Sequence, residues 1–170
     1  MDKHTSNIIK YQVSGEEEGQ TVNTVLSRSL NFSQKQIRKL KKGEFVFVNG
    51  KFELLIGRVR AGDEIVVYLP PDDGVKVEPE DIPLDIRYED DDLMVVNKPA
   101  GMLVHPLTKQ GSGTLANAVV FHWLSQGKSA RFRAVSRLDR DTSGLVLIGK
   151  NPHIQSIMVK QVQEKNISRE

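Results

Sequence analysis

The chain has 170 residues, of which 38% are hydrophobic, and it contains no cysteine. The lack of thiols excludes disulfide bonds and thiolate metal sites. No apolar run reaches the length of a membrane span, and the polar N-terminus has no signal-peptide core. These features predict a cytoplasmic protein with no membrane partner, built from one medium domain or two small ones.

The net charge of +2 conceals an uneven distribution along the chain. Residues 1–70 carry 11 basic against 8 acidic side chains, residues 71–92 carry 2 against 10, and residues 93–170 carry 11 against 4. Two basic blocks separated by an acidic segment are typical of a polyanion-binding protein. Charge alone leaves open the alternative that surface Lys and Arg merely keep the protein in solution.

Two amphipathic helices are predicted in the first basic block. The first helix has four apolar residues at helical spacing, Val22, Val25, Leu26 and Leu30. Ser33 and Gln36 have the spacing of a capping box, which predicts a second helix to Lys42 with Gly43 as its left-handed stop. Four basic residues of this helix share one face and are called the basic stripe: Lys35, Arg38, Lys39 and Lys42.

Strands are predicted after these helices, at residues 45–48, 51–55 and 65–69, with Asn49-Gly50 as a two-residue hairpin turn. The order of elements over residues 20–69 resembles the small RNA-binding domain named after ribosomal small-subunit protein four. The stretches "SQKQIRKLKKGEFVFVNGK" and "RVRAGDEIVV" carry this resemblance. It implies that the basic stripe lies against RNA phosphates, where Lys and Arg gain affinity by displacing counterions.

An acidic linker is predicted at residues 71–85, because this stretch contains Pro79 and Pro83 and has little helical potential. It separates an RNA-binding domain at 11–70 from a second domain at 86–170. Three consecutive acids follow the linker, at Asp90, Asp91 and Asp92. Neighbouring side chains in a strand point in opposite directions, so we interpret these acids as a solvated turn rather than a metal site.

The second domain is predicted to contain a buried strand at 93–96, a helix capped by Thr114, an apolar strand at 145–148 fit for the centre of a sheet, and a last helix capped by Asn151. Trp123 is expected in the core. Before the apolar strand, "SRLDRDTSGL" alternates cations and carboxylates. Two interpretations remain open: a turn stabilised by local ion pairs, or an Asp nucleophile or base kept ionised by adjacent Arg.

The stretch "RLDRDTSGL", preceded by "NKPAGMLVHP" and followed by "GKN", resembles the RluA-type RNA pseudouridine synthases over residues 84–170. The resemblance implies that Asp139 is the catalytic carboxylate, which attacks the target uridine without cofactor or metal. Arg137 and Arg140 would contact phosphates or keep Asp139 ionised. Lys98 could face RNA phosphate or be an exposed loop lysine, and His105 could line the pocket or be hydrogen-bonded within its loop.

The predicted fold class is α+β: a small RNA-binding domain of two helices and a sheet, followed by an incomplete mixed-sheet pseudouridine synthase domain. Two departures from the family are visible. Ser136 stands where the family usually has histidine, and Glu170 comes before the family's base-packing tyrosine and remaining sheet. The predicted function is pseudouridine synthesis in RNA, ribosomal rather than transfer RNA, by a protein that is a monomer in its full-length form. The alternatives are a truncated, catalytically inactive RNA-binding protein, or a ribosome-associated module, which leaves "RLDRDTSGL" unexplained.

Overall fold

A computed structural model describes residues 8–70, 77–107, 111–128 and 131–167. The chain divides into two compact units, residues 1–71 and 72–170, and the described elements are α+β, as predicted. They form two antiparallel sheets and four α-helices. Within the described ranges, no helix has the length and apolar character needed to span a bilayer.

The first unit contains a four-stranded antiparallel sheet and two short helices. The strands are β1 (Ile8–Gln12), β2 (Val46–Val48), β3 (Lys51–Phe52) and β4 (Glu64–Tyr68), in the sheet order β1-β4-β2-β3. The helices are α1 (Val22–Arg28) and α2 (Gln34–Leu40). Buried apolar residues of both helices and the sheet form one core, which includes Val25, Leu26, Ile37, Leu40 and Ile65.

Local signals in this unit predicted the N-terminal cap of α2 and the turn after β2 correctly. Ser33 Oγ accepts from Gln36 N at 3.3 Å, while Ser33 N donates to Gln36 Oε1 at 2.7 Å, which is the predicted capping box. Asn49 and Gly50 have φ values of 50° and 77°, as the hairpin turn between β2 and β3 requires. These interactions join residues close in sequence.

Three predictions for this unit were wrong. Strand β1 was not anticipated, although it pairs with β4 along its whole length. The return strand β3 ends at Phe52 rather than at residue 55. Helix α2 ends at Leu40, and Gly43 does not have a positive φ. A Cβ at position 43 would lie 2.7 Å from Phe45 Cε2, so a larger residue there would displace the Phe45 ring.

The second unit contains the strands β5 (Ile86–Glu89), β6 (Leu93–Lys98) and β7 (Gly144–Gly149), and the helices α3 (Leu115–Ser125) and α4 (Pro152–Gln163). Its core packs the buried faces of β6 and β7 against α3, with Trp123 1% exposed, as predicted. The sheet order is β5-β6-β7, and both described pairings are antiparallel. The expected mixed sheet is therefore antiparallel in its described strands, since the turn at Asp90 returns the chain directly from β5 to β6.

Strand β7 was predicted for the centre of a sheet and lies instead beside the central β6. Leu145 is 57% exposed, whereas Val146 and Ile148 are fully buried, so only one face of β7 is covered. Its other edge is partly covered by the preceding chain, because Val135 N donates to Leu147 O and Gly149 N donates to Arg133 O, each at 2.9 Å or less. A continuous apolar run does not show which edge of a strand will be paired.

Part of the predicted linker packs on the second unit. Asn117 Nδ2 donates to Glu78 O at 2.8 Å, and Gly113 N donates to Glu80 Oε2 at 2.6 Å. Val77 and Leu84 pack against the core of this unit. The acidic chain from residue 77 onward thus covers the beginning of α3. Residues 71–76 of the predicted linker lie outside the described residues.

Candidate active site

Lys98 lies at the end of β6 on the face that points into the core. Met94, Val96 and Lys98 alternate with more exposed residues, as expected for a strand with one buried face, and the Lys98 side chain is 0% exposed. Lys98 pairs with Gly144, the first residue of β7. The buried ammonium group therefore lies where β6 ends and β7 begins.

The Lys98 ammonium joins two loops that are far apart in sequence. Its Nζ donates to Pro99 O at 2.9 Å, to Met102 O at 2.8 Å and to Arg140 O at 3.0 Å. These three bonds use all three ammonium hydrogens, which is what a buried charge requires. Burial lowers the pKa of Lys98, although Asp141 and Asp139 act in the opposite direction.

The loop that carries Asp139 is held by the backbone as well. Gly101 N donates to Arg140 O at 2.9 Å, so this carbonyl receives hydrogen bonds from both Gly101 and Lys98. Thr142 N closes a turn onto Asp139 O at 3.2 Å. Gly144 ends the loop with a φ of 145°, a conformation that favours glycine. The "NKPAG" and "RLDRDTSG" loops are thus one connected structure.

The Asp139 carboxylate is exposed at the surface of this structure, as is that of Asp141. Among the residues that the structure describes, neither carboxylate forms an ion pair with Arg137 or Arg140. The turn stabilised by local ion pairs, one of the two interpretations of this motif, is therefore not what the described residues form. Asp139 is accessible to a substrate, and its charge acts to raise the pKa of the buried Lys98.

Three other predicted site residues are also exposed. Arg137 and Arg140 extend from the Asp139 loop, so their guanidinium groups are available to phosphate. His105 is exposed, and its ring packs edge-on against Phe132 with centroids 5.8 Å apart. His105 thus contacts an aromatic ring, whereas one interpretation of the sequence was a hydrogen bond within its loop. Whether these three residues contact RNA remains a prediction.

Lys98 differs most from its prediction. The sequence suggested a loop lysine facing phosphate or solvent, but the structure buries its ammonium and satisfies it with three carbonyl groups. The correction follows from β6 extending two residues past residue 96, since strand alternation then turns Lys98 inward. In the structure, the Lys98 ammonium is bonded to loop carbonyls and is not exposed to solvent.

The basic stripe lies in the first unit, on the exposed side of α2 and the turn after it. Its four side chains are exposed, while Ile37 and Leu40 on the opposite side of the helix are buried. Within the described part of the chain, no ion pair neutralises the stripe. The stripe is therefore a set of free cations, as its predicted role requires.

No group of three or more His, Asp or Glu side chains in the described ranges is placed to hold a metal ion. The three consecutive acids form a turn, in which Asp90 Oδ1 accepts from Asp92 N at 2.8 Å and from Leu93 N at 2.7 Å. These hydrogen bonds, together with that from Tyr88 Oη, lower the pKa of Asp90. The turn connects β5 and β6.

A second charged cluster in this unit was missed from the sequence. Glu89 accepts from Lys150 Nζ at 2.9 Å and from Trp123 Nε1 at 3.2 Å, and lies 2.9 Å from His122 Nε2. Burial alone would raise the pKa of Glu89, but the hydrogen bonds from Lys150 and His122 hold it below its ordinary value. Glu89 is separated from each of its three partners by 33 or more positions, so no local pattern could show the cluster.

Comparison with known proteins identifies the family. The family model described as RNA pseudouridylate synthase matches residues 92–170, which include both connected loops and Asp139. An uncharacterized RNA pseudouridine synthase of Aquifex aeolicus is 37% identical over 169 residues, covering 96% of this chain and 53% of that protein. The chain belongs to the RNA pseudouridine synthase family.

Other members of the RNA pseudouridine synthase family have more specific names. The ribosomal large subunit pseudouridine synthase D of Escherichia coli O157:H7 is 33% identical, over 93% of this chain and 49% of that protein. The chain spans about half the length of the curated relatives it matches. A solved human structure, RNA pseudouridylate synthase domain containing 4, is similar over 48% of this chain with 20% identity and a TM-score of 0.39, too low to support an argument about the fold.

Proposed function

We propose that the protein isomerises uridine to pseudouridine in large-subunit ribosomal RNA, with Asp139 as the catalytic carboxylate. The main support for this proposal is the exposed Asp139 carboxylate, which lies on a loop that Lys98 and Gly101 hold in place. The name of the Escherichia coli relative, ribosomal large subunit pseudouridine synthase D, supports the choice of RNA.

The proposed reaction begins with Asp139 acting on the sugar of a uridine that has left its base stack. A carboxylate can attack the sugar carbon or stabilise the positive charge that develops there. The bond from N1 to C1′ breaks and the uracil turns. C5 bonds to C1′, and any bond between Asp139 and C1′ breaks in the same step, which frees the carboxylate. C5 then loses its proton and N1 gains one, so atoms balance and the product is an isomer.

The exposed residues around Asp139 have supporting roles in this proposal. Arg137 and Arg140 bind the phosphates that flank the target uridine, and His105 contacts the RNA beside the site. Lys98 is a positioning residue, because its ammonium binds loop carbonyls and is buried away from any substrate. The basic stripe of the first unit binds a further part of the RNA.

A second candidate function is RNA binding without catalysis. The observation that favours it is the first unit, which has its own core and exposes the basic stripe. Both functions predict RNA affinity that falls with salt. They differ in whether the protein changes the RNA chemically.

The test is complementation of a strain in which the gene for this protein is deleted. We expect one or more pseudouridines, detected by carbodiimide modification and reverse transcription, to be lost from large-subunit RNA. The wild-type gene should restore them, Asp139→Asn should not, and Asp141→Asn should restore them at least in part. Asp141 is the matched control, because it is an exposed acid of the same loop. An active Asp139→Asn variant would refute the assignment, and an unchanged pseudouridine map in the deletion strain would favour RNA binding alone.

A further inference from the structure

An apolar surface lies in the first unit, which also carries the basic stripe. Three of its large hydrophobic side chains are exposed: Phe52 by 42%, Leu54 by 57% and Ile56 by 77%. They border a pocket of about 340 Å³, within the range of roughly 300–1,000 Å³ usual for small-molecule sites. Exposed apolar side chains gathered around a concavity are typical of a binding site.

The pocket has a rigid base. Leu40, Val46 and Leu55 line it and are also members of the buried core, so its inner wall is set by the packing of the unit. Phe52 forms one side and is held edge-on by Phe47, with centroids 6.2 Å apart. Leu54 and Ile56 form the outer rim. A ligand would therefore meet a preformed site.

Lys41 and Glu53 are the two charged residues that line the pocket, and they are not equivalent. Glu53 Oε1 accepts from Leu54 N at 3.1 Å, so its carboxylate is turned back onto its own loop. Lys41 is exposed and pairs with no acid in the described part of the chain. Lys41 is therefore an exposed, unpaired cation at the pocket, and it precedes Lys42 of the basic stripe in the sequence.

We infer that this pocket binds an unpaired nucleobase of an RNA whose phosphates lie along the basic stripe, a proposal that rests on the RNA binding of the proposed function. Charge complementarity selects RNA as the occupant, because the Lys41 ammonium at the pocket matches a phosphate and the apolar lining matches a base. Phe52 offers an aromatic surface, and base stacking is tolerant of sequence because every base has a π-face. A paired duplex cannot insert a base, so the pocket distinguishes single-stranded from paired RNA.

The test compares two RNA hairpins with the same stem, one fully paired and one with a single bulged uridine. The full chain and the double variant Leu54→Asn/Ile56→Asn are titrated with both. We expect the variant to bind the bulged hairpin about tenfold more weakly, from the loss of one base contact, and the paired hairpin with unchanged affinity. The dependence on salt should stay the same, because no phosphate contact is removed. Leu124→Asn is the matched control, since Leu124 is 48% exposed in the other unit.

The possible outcomes separate this proposal from the proposed function. Equal loss of affinity for both hairpins, or no loss for either, would overturn the pocket and leave RNA binding intact. Failure of the wild-type chain to bind any RNA would overturn both. Sedimentation gives a further outcome. If the wild-type chain is a dimer and the double variant is a monomer, the pocket binds a second copy of the chain and the RNA proposal is wrong. Unchanged circular dichroism melting of the variant shows that the expected tenfold loss comes from the pocket rather than from unfolding.

Discussion

Replacement of Lys98 by Met tests whether its ammonium holds the two loops of the candidate site together. The side chain is fully buried and donates to three carbonyl groups, at Pro99, Met102 and Arg140. Met keeps the aliphatic stem but provides no donor. Arg140 O would retain the hydrogen bond from Gly101 N, whereas the other two carbonyls would lose the Lys98 donor.

The magnitude follows from these two carbonyl groups. A buried acceptor left without its donor costs about 1–3 kcal/mol, so the two together cost roughly 2–6 kcal/mol. Met has no charge to bury, so the variant avoids the desolvation penalty that lowers the pKa of Lys98, and this offsets part of the loss in stability. We therefore expect the free energy of unfolding of the second unit to fall by about 2–4 kcal/mol.

Urea unfolding followed by tryptophan fluorescence measures this effect. The chain has a single tryptophan, and Trp123 is buried in the core of the second unit, so its emission reports on that unit. Lys128→Met is the matched control, because Lys128 is exposed in the same unit. An unchanged or higher urea midpoint for Lys98→Met would refute the role of Lys98 in holding the two loops together. A normal midpoint with weaker RNA binding would restore the phosphate-facing role predicted from the sequence.

Two further predictions concern pH and salt. Burial lowers the pKa of His153 from 6.5 to about 4. Between these two pH values the unfolded chain binds a proton at His153 and the folded chain does not. The free energy of unfolding therefore falls as the pH drops from 6.5 towards 4. Between pH 7 and pH 5 this residue should remove about 2 kcal/mol of stability from the second unit, and an equal pH dependence in His153→Leu would contradict the burial argument. Gln at all four stripe positions should reduce the slope of log affinity for RNA against log salt by about 3, and an unchanged slope would mean that the stripe does not contact phosphate. Those positions are Lys35, Arg38, Lys39 and Lys42.

The local features of the fold could be predicted from the sequence because they depend on residues a few positions apart. Thr114, Ser33 and Asn151 cap helices by accepting from backbone N–H groups two or three residues later. The turn at Asn49-Gly50 depends on two backbone angles that these residues adopt easily. The motif around Asp139 was visible for the same reason, since its residues are contiguous.

Only the tertiary structure decided which distant groups meet. Lys98 contacts Arg140 O across 42 positions, and Glu89 of β5 meets Lys150, which directly follows β7, so no spacing in the sequence shows that either lysine is buried. Strand β1 was not predicted, although Ile8, Ile9 and Tyr11 favour strands, and its partner β4 lies far along the chain. Residue types show which side chains can perform chemistry. Their burial and hydrogen bonding depend on contacts between residues that are far apart in the sequence. The site therefore has an exposed carboxylate that was predicted and a buried ammonium that was not.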